Sequence, residues 1–122
     1  MWQFFTERSK RVIQIAHREA LRLGHPEIGT EHLMIGLIAE ESSVASLELK
    51  EAGLVPEDVL RKILALRPPQ PSYRQAVDLP LSNEARAALN ASIAQARELH
   101  SSYVGTEHLL LGVLSQSDGA AR

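Results

Sequence analysis

The 122-residue sequence contains no cysteine, which excludes disulfides, thiolate metal sites and a cysteine nucleophile. Its charges nearly balance, with a formal net charge of −2 and a pI of about 6.2, so it lacks the basic surface that holds a nucleic-acid backbone. No apolar run approaches the roughly 20 residues that span a bilayer. The amino terminus becomes charged almost at once and has no signal-peptide pattern. We therefore expect a cytoplasmic protein that binds neither nucleic acid nor membrane.

Motifs of catalysis are absent from the sequence as well. It has no phosphate-binding G-x-x-x-x-G-K-[ST] loop, no G-x-S-x-G nucleophile elbow and no H-E-x-x-H zinc motif. His25, Glu31 and His32 are candidate metal ligands, but their spacing across a turn does not fit an established ligand pattern. The sequence thus predicts no enzyme activity, no cofactor and no metal site.

Apolar residues recur with the period of a helix along most of the chain. Six helices are predicted: Thr6 to Leu23, Thr30 to Glu41, Val44 to Ala52, a fourth from Pro56, a fifth after Ser82 and a sixth from about Thr106. Thr6 and Ser82 are suitable N-caps, and Gly24 and Gly53 are suitable stops. The apolar stripe of the fifth helix comprises Ala85, Leu89, Ile93, Ala96 and Leu99. Four prolines make residues 67–81 an extended linker, and the last residues, SQSDGAAR, are expected to fray.

One segment of the sequence occurs twice. IGTEHLMIGLI begins at Ile28, and VGTEHLLLGVL begins at Val104, 76 positions later. The same offset relates Thr6 to Ser82 without a gap, which indicates duplicated structure rather than a chance pentapeptide. We predict an all-α tandem repeat of small helical bundles, with repeat 1 at residues 1–66, the linker at 67–81 and repeat 2 at 82–122.

Repeat 2 is incomplete, because the third and fourth helices of repeat 1 have no counterpart before Arg122. In repeat 1 those helices would cover the apolar side of the first two. The apolar residues of the sixth helix must therefore bury themselves against repeat 1 or against something else: Leu109, Leu110, Leu111, Val113 and Leu114. Either the chain is a fragment of a longer protein, or it pairs with another chain.

The repeated Gly-Thr-Glu-His has two interpretations. In the structural one, the first glycine supplies a positive φ, the threonine caps a helix, and the glutamate favours the positive end of the dipole. The glycine of the following turn, Gly36 or Gly112, permits close helix packing. In the functional one, Glu31 and Glu107 are carboxylates that bind a guanidinium, and the hydroxyls of Thr6 and Ser82 help to bind an anion at a helix start.

Two further groups of residues allow alternatives. His32 and His108 are expected to be buried and hydrogen-bonded near the helix start rather than to carry proton chemistry. Trp2, Phe4 and Phe5 are either a hydrophobic plug over the first helix or an exposed site for a partner protein. Sequence alone does not separate these two roles.

The segment FTERSKRVIQIAHREALRLGHPEIGTEHLMIGLI, the proline-rich linker and ARELHSSYVGTEHLLLGVL together resemble the Clp N-terminal domain of ClpC-type AAA+ unfoldases. The resemblance extends from Phe5 to about Leu114. It implies an all-α, pseudo-twofold pair of helical repeats. It also implies a non-catalytic module that receives protein substrates and adaptors for a Clp ATPase and protease complex and, in ClpC-type members, binds phosphorylated arginine.

The resemblance also assigns residues to these roles. Glu31 and Glu107 would face the guanidinium of phospho-arginine, with Thr6 and Ser82 as phosphate contacts and the adjoining Thr30 and Thr106 in the same ligand sites. An alternative function is a ring-less accessory protein that regulates a Clp complex, or self-associates, through helix packing without a ligand pocket.

Repeat 2 departs from the family pattern in two places. LHSSYVGTEH stands where the family has LGHSYVGTEH, so His100 replaces a glycine and Ser101 a histidine. Ser82, Asn83 and Glu84 replace a more basic Thr-Pro-Arg pattern, which removes positive charge near one of the two sites. On this basis the sequence favours the first copy of the motif.

Overall fold

A computed structural model describes residues 2–40, 44–53, 56–66 and 79–116. Within these ranges a single 3-10 turn, Trp2–Phe4, precedes six α-helices. The helices are α1 (Glu7–Arg22), α2 (Thr30–Ala39), α3 (Val44–Glu51), α4 (Pro56–Leu66), α5 (Asn83–Glu98) and α6 (Thr106–Leu114). The prediction of an all-α fold is confirmed. No described helix has the length and apolar character needed to cross a membrane.

The long helices α1 and α5 begin in the same way. The hydroxyl of Thr6 accepts a hydrogen bond from the Ser9 N–H, and that of Ser82 accepts one from the Ala85 N–H. Each hydroxyl thereby satisfies a backbone donor that the first helical turn leaves without a partner. Both predicted N-caps are confirmed.

The same two helices also end alike, in a Schellman motif. After α1, Gly24 N–H donates to the Leu21 carbonyl and His25 N–H to that of Ala20. After α5, the equivalent bonds run from His100 to Arg97 and from Ser101 to Ala96. Gly24 has φ +72° and His100 has φ +58°, so a histidine occupies a left-handed position that suits glycine. The two turns therefore share one backbone conformation and differ in the side chain at this position.

Each long helix packs closely against the short helix that follows it, α1 on α2 and α5 on α6. A Cβ atom on Gly36 would lie 2.4 Å from the Val12 carbonyl oxygen, and one on Gly112 would lie 2.3 Å from that of Ala88. No other side chain fits without displacing backbone, so the predicted packing role of these two glycines is confirmed.

Two short parallel bridges join the helical pairs. Phe5 pairs with Val104, and Ile28 pairs with Leu81. Four backbone hydrogen bonds of 2.7–3.1 Å form these bridges: Val104 to Phe4, Thr6 to Val104, Ile28 to Pro80 and Ser82 to Ile28. The 76-residue offset converts each bond of one bridge into a bond of the other. Each pair is therefore joined to the segment that precedes the opposite long helix.

The helices α3 and α4 pack against α2, and α3 also contacts α6. Accordingly, Leu109, Leu110 and Val113 are buried, as expected for residues that pack against repeat 1. Leu111 and Leu114 are exposed, so burial against repeat 1, the first of the two alternatives, holds for only part of this apolar set. Their side of α6 faces away from repeat 1, and no described helix covers it in the way that α3 and α4 cover α2.

Some other expectations need correction. Leu99 is exposed rather than buried with the α5 stripe, whereas Leu23, which is the C-cap residue at the equivalent position of α1, is buried. Helix α2 ends at Ala39, with Glu40 as its C-cap, and not at Glu41, which lies outside the described residues. Most of the linker, residues 67–78, and the terminal residues 117–122 also lie outside them. The proposed repeat boundaries remain predictions.

Candidate ligand-binding sites at two helix starts

The duplicated Gly-Thr-Glu-His begins α2 and α6, but its first two residues act differently from the prediction. Gly29 and Gly105 are the N-cap residues, with φ −101° and −91°, so neither has a positive φ. Thr30 and Thr106 are the first helical residues and not the caps. The expectations of a left-handed glycine and a capping threonine were wrong.

The position of the glutamate side chain explains why the N-cap residue is a glycine. A Cβ atom on Gly29 would lie 1.7 Å from Oε1 of Glu31, and one on Gly105 would lie 2.0 Å from Oε1 of Glu107. In each copy the carboxylate folds back over the cap residue, where the positive end of the helix dipole favours it. Glycine at the cap thus makes room for the side chain two residues later.

The histidine takes the capping role that the sequence analysis gave to threonine. Gly29 N–H donates to Nδ1 of His32 at 2.8 Å, and Gly105 N–H donates to Nδ1 of His108 at 2.9 Å. Each imidazole therefore satisfies the backbone N–H of the N-cap residue. Both histidines are buried, as predicted.

In repeat 1 this arrangement extends to a second histidine. Because Nδ1 of His32 accepts a hydrogen bond, its proton is on Nε2, which donates to Nδ1 of His25 at 2.7 Å. The 3.2 Å separation between Nδ1 of His32 and Glu31 Oε1 is accordingly not a salt bridge. In repeat 2, Ser101 occupies the position that corresponds to His25. Its hydroxyl donates to the carbonyl of Tyr103 and accepts from the Tyr103 N–H. At both helix starts, therefore, Nδ1 of a histidine accepts the backbone N–H of the N-cap residue.

The candidate phosphate and guanidinium contacts come from opposite repeats. Thr6 N–H donates to the carbonyl of Val104, three residues before Glu107. Ser82 N–H donates to the carbonyl of Ile28, three residues before Glu31. Each candidate site therefore combines the start of a long helix from one repeat with the Thr-Glu segment of the other. We call them the Thr6–Glu107 site and the Ser82–Glu31 site.

The two sites differ in access and in charge. The side chain of Glu107 is 37% exposed, whereas that of Glu31 is only 4% exposed. The first turn of α1 carries Arg8, and the equivalent position of α5 carries the acid Glu84. The Thr6–Glu107 site therefore has the more accessible carboxylate, and its long helix carries a basic residue where the other carries an acid. The preference that the sequence gave to the first copy of the motif remains a prediction.

The aromatic residues of the amino terminus divide between the two predicted roles. Phe5 is 3% exposed and joins the core, as a plug would. Phe4 is 49% exposed, as a partner site requires. The side chain of Trp2 lies outside the described residues, so its role remains a prediction. No group of His, Cys, Asp and Glu suited to a metal ion occurs within the described ranges.

Solved structures first define the class of this fold. The N-terminal domain of the chaperone ClpD from Arabidopsis thaliana superposes with a TM-score of 0.79 at 25% identity, over 99% of this chain and 82% of that one. The N-domain of ClpV, solved in complex with a VipB peptide, superposes with a TM-score of 0.75 at 23% identity, over 95% and 71%. The architecture is that of a Clp N-domain.

Sequence comparisons then give the family. Residues 4–122 match the Clp repeat (R) N-terminal domain, and the chain belongs to this family. It is 38% identical over 121 residues to the negative regulator of genetic competence ClpC/MecB of Bacillus subtilis. It is 39% identical over 124 residues to the chloroplastic chaperone ClpC1 of Arabidopsis thaliana. The resemblance stated from the sequence is confirmed.

The aligned region covers 99% of this chain but only 15% of the Bacillus relative and 13% of the Arabidopsis one. The family match is to an N-terminal domain and not to an ATPase domain, which agrees with the prediction that the chain is not an enzyme.

Proposed function

We propose that this domain is a docking module that receives protein substrates or adaptors for a Clp ATPase and protease complex. The family match over residues 4–122 supports this role. The ClpC relatives support it further, as does the ClpV N-domain, which was solved with a bound peptide. In this proposal the fold presents binding surfaces, and the energy for unfolding comes from other domains or partners.

We further propose that the Thr6–Glu107 site binds phosphorylated arginine on marked proteins. A carboxylate accepts a guanidinium in two parallel hydrogen bonds, and the N-terminal end of a helix attracts a phosphate. The observation that carries this proposal is the placement of Thr6, at the start of α1, beside the segment that contains the accessible Glu107. The Ser82–Glu31 site, with its buried glutamate and acidic Glu84, is proposed to bind more weakly.

Calorimetric titration with free phospho-arginine tests the assignment. Glu107→Gln keeps the size of the side chain and removes its charge, so we expect affinity to fall about tenfold or more, since a charge-assisted hydrogen bond contributes about 1.5–3 kcal/mol. Glu31→Gln is the matched control in the other repeat, with an expected loss below about threefold. Circular dichroism of both variants checks that they remain folded.

Two results would contradict the site assignment. One is an absence of heat for the wild-type protein at millimolar phospho-arginine. The other is equal affinity of the Glu107→Gln variant and the wild type. A larger loss for Glu31→Gln than for Glu107→Gln would transfer the site to the other repeat.

A second candidate function is assembly through helix packing without a ligand pocket. The exposed Leu111 and Leu114 on one side of α6 favour it, because exposed leucines on one helix face commonly mark an interface. Light scattering tests it: a concentration-dependent mass that Leu111→Lys abolishes would support assembly. A constant monomeric mass would rule it out for this chain alone.

A further inference from the structure

A hollow of about 150 Å³ lies on the side of α5, next to the Thr6–Glu107 site, with which it shares the Val104 segment. Its walls include Ile93, Ala96 and Arg97 of α5, Tyr103 and Val104 of the following loop, and Phe4 from the amino terminus. Phe4 and Tyr103 are exposed, so two aromatic rings border an apolar hollow that solvent reaches. We call this feature the α5 hollow.

Repeat 1 shows what the equivalent surface of a helical pair can hold. By the 76-residue offset, Ile93 corresponds to His17 of α1, and Phe4 corresponds to Pro80. Next to Pro80, Leu79 is buried and donates its N–H to Nε2 of His17 at 3.1 Å. On repeat 1, therefore, an extended segment of the chain places a leucine beside the long helix.

Repeat 2 lacks that leucine. The residue that corresponds to Leu79 is Gln3, which is polar and exposed. The hollow beside Ile93 and Phe4 thus occupies the region that the chain itself covers with Leu79 in repeat 1. A leucine of another protein, presented in an extended segment, has the shape and polarity to fill it.

The charge of the hollow adds a second requirement. Arg97 lines it and is exposed, whereas the corresponding residue of α1 is the apolar Leu21. Arg97 makes no ion pair with any residue in the described part of the chain. A carboxylate next to the inserted leucine would supply the complementary charge at the rim.

We propose that the α5 hollow is a docking site for an extended peptide segment in which a leucine is followed by an acidic residue. The leucine enters between Ile93, Phe4 and Tyr103, and the carboxylate pairs with Arg97. This inference rests on the proposed function in one respect, namely that the domain receives segments of other proteins. It concerns a hollow that adjoins the Thr6–Glu107 site through Phe4 and Val104 but is not lined by Thr6 or Glu107.

The test uses the full chain, labelled with ¹⁵N, and a fluorescein-labelled peptide of glycine and serine with one central leucine–aspartate pair. We expect amide shifts in NMR spectra centred on Arg97, Tyr103 and Val104. In fluorescence anisotropy, replacing the peptide's leucine with serine should weaken binding about tenfold, because the apolar burial is lost. Replacing its aspartate with lysine should weaken binding about threefold or more.

Charge reversal on the protein gives the sharpest outcome. Arg97→Glu should reverse the order of affinities, so that the lysine peptide binds more tightly than the aspartate peptide. Arg18→Glu is the matched control, because Arg18 is an exposed arginine on α1 and this substitution changes the net charge by the same amount. That control should leave the order unchanged.

Three results would overturn the inference: no binding of the leucine–aspartate peptide at millimolar concentration, shifts centred on Leu111 and Leu114 instead, or an unchanged order of affinities in Arg97→Glu. Phospho-arginine calorimetry on the same samples separates the two proposals. If phospho-arginine binds and the peptide does not, only the proposed docking site on α5 is refuted. If the peptide binds and phospho-arginine does not, only the proposed phospho-arginine site is refuted.

Discussion

Replacing His100 with glycine is expected to stabilise the protein, although the substitution removes an entire side chain. His100 follows the C-cap of α5 at φ +58°, and Gly24 occupies the equivalent place after α1 at φ +72°. The backbone bonds of the two Schellman motifs are the same. The structure therefore contains both the strained residue and its unstrained counterpart.

The magnitude follows from two opposing terms. A residue with a Cβ in the left-handed region costs about 1–2 kcal/mol. Glycine recovers that cost, but its greater freedom in the unfolded chain takes back about 0.5–1 kcal/mol. The net expectation for His100→Gly is a gain of about 0.5–1 kcal/mol, which raises the Tm by about 2–5 °C in a domain of this size.

Urea and thermal unfolding, followed by circular dichroism, measure the change. His100→Ala is the control for the lost imidazole, because alanine removes the ring and keeps the backbone strain. Gly24→His makes the reciprocal change in repeat 1 and should destabilise the protein by about 1 kcal/mol. The difference between the glycine and alanine variants at position 100 isolates the backbone effect.

Equal free energies of unfolding for His100→Gly and His100→Ala would refute the backbone strain at position 100. A neutral Gly24→His variant would refute it as well, since the two positions share one backbone conformation. A destabilised His100→Gly variant would mean that contacts of the imidazole outweigh the strain.

Three other substitutions test the packing and the caps, all by urea unfolding. Gly36→Ala should lower the free energy of unfolding by about 2 kcal/mol, because its Cβ would lie 2.4 Å from the Val12 carbonyl oxygen and must displace backbone. A change below about 0.5 kcal/mol would refute the close contact. His32→Ala should lower the free energy of unfolding by about 3 kcal/mol, and His108→Ala should lower it by about 1–2 kcal/mol, because only His32→Ala also removes the hydrogen-bond partner of the buried His25. Equal effects of the two substitutions would contradict the histidine pair.

The helices could be predicted from the sequence because their determinants are local. The caps Thr6 and Ser82 and the stops Gly24 and Gly53 act on the residues beside them. The exposure of Leu99 was missed because Leu99 and the buried Leu23 occupy equivalent positions in the two repeats, and the period of apolar residues does not distinguish them. The role of Gly29 was missed for a similar reason: the steric demand arises from the conformation of the Glu31 side chain.

The candidate sites were predictable only in part. The offset identifies equivalent residues, such as Thr6 with Ser82, but not which repeat each one contacts. Thr6 adjoins the Glu107 segment because the bridges connect opposite repeats, and this is a property of the three-dimensional arrangement. The α5 hollow escaped the sequence analysis because Arg97 and Phe4 are far apart along the chain and resemble ordinary surface residues.

The two bridges also have a consequence for how the chain folds. Phe5 and Val104 are separated by almost the whole chain, and the Ser9 hydroxyl donates to the Val104 carbonyl across 95 positions. Contacts of such long sequence separation slow folding, because a large loop must close before they form. During synthesis, α1 emerges first but can complete its contacts only after Val104 has left the ribosome. We expect the two repeats to fold as one cooperative unit, in which neither half is stable until the other has been made.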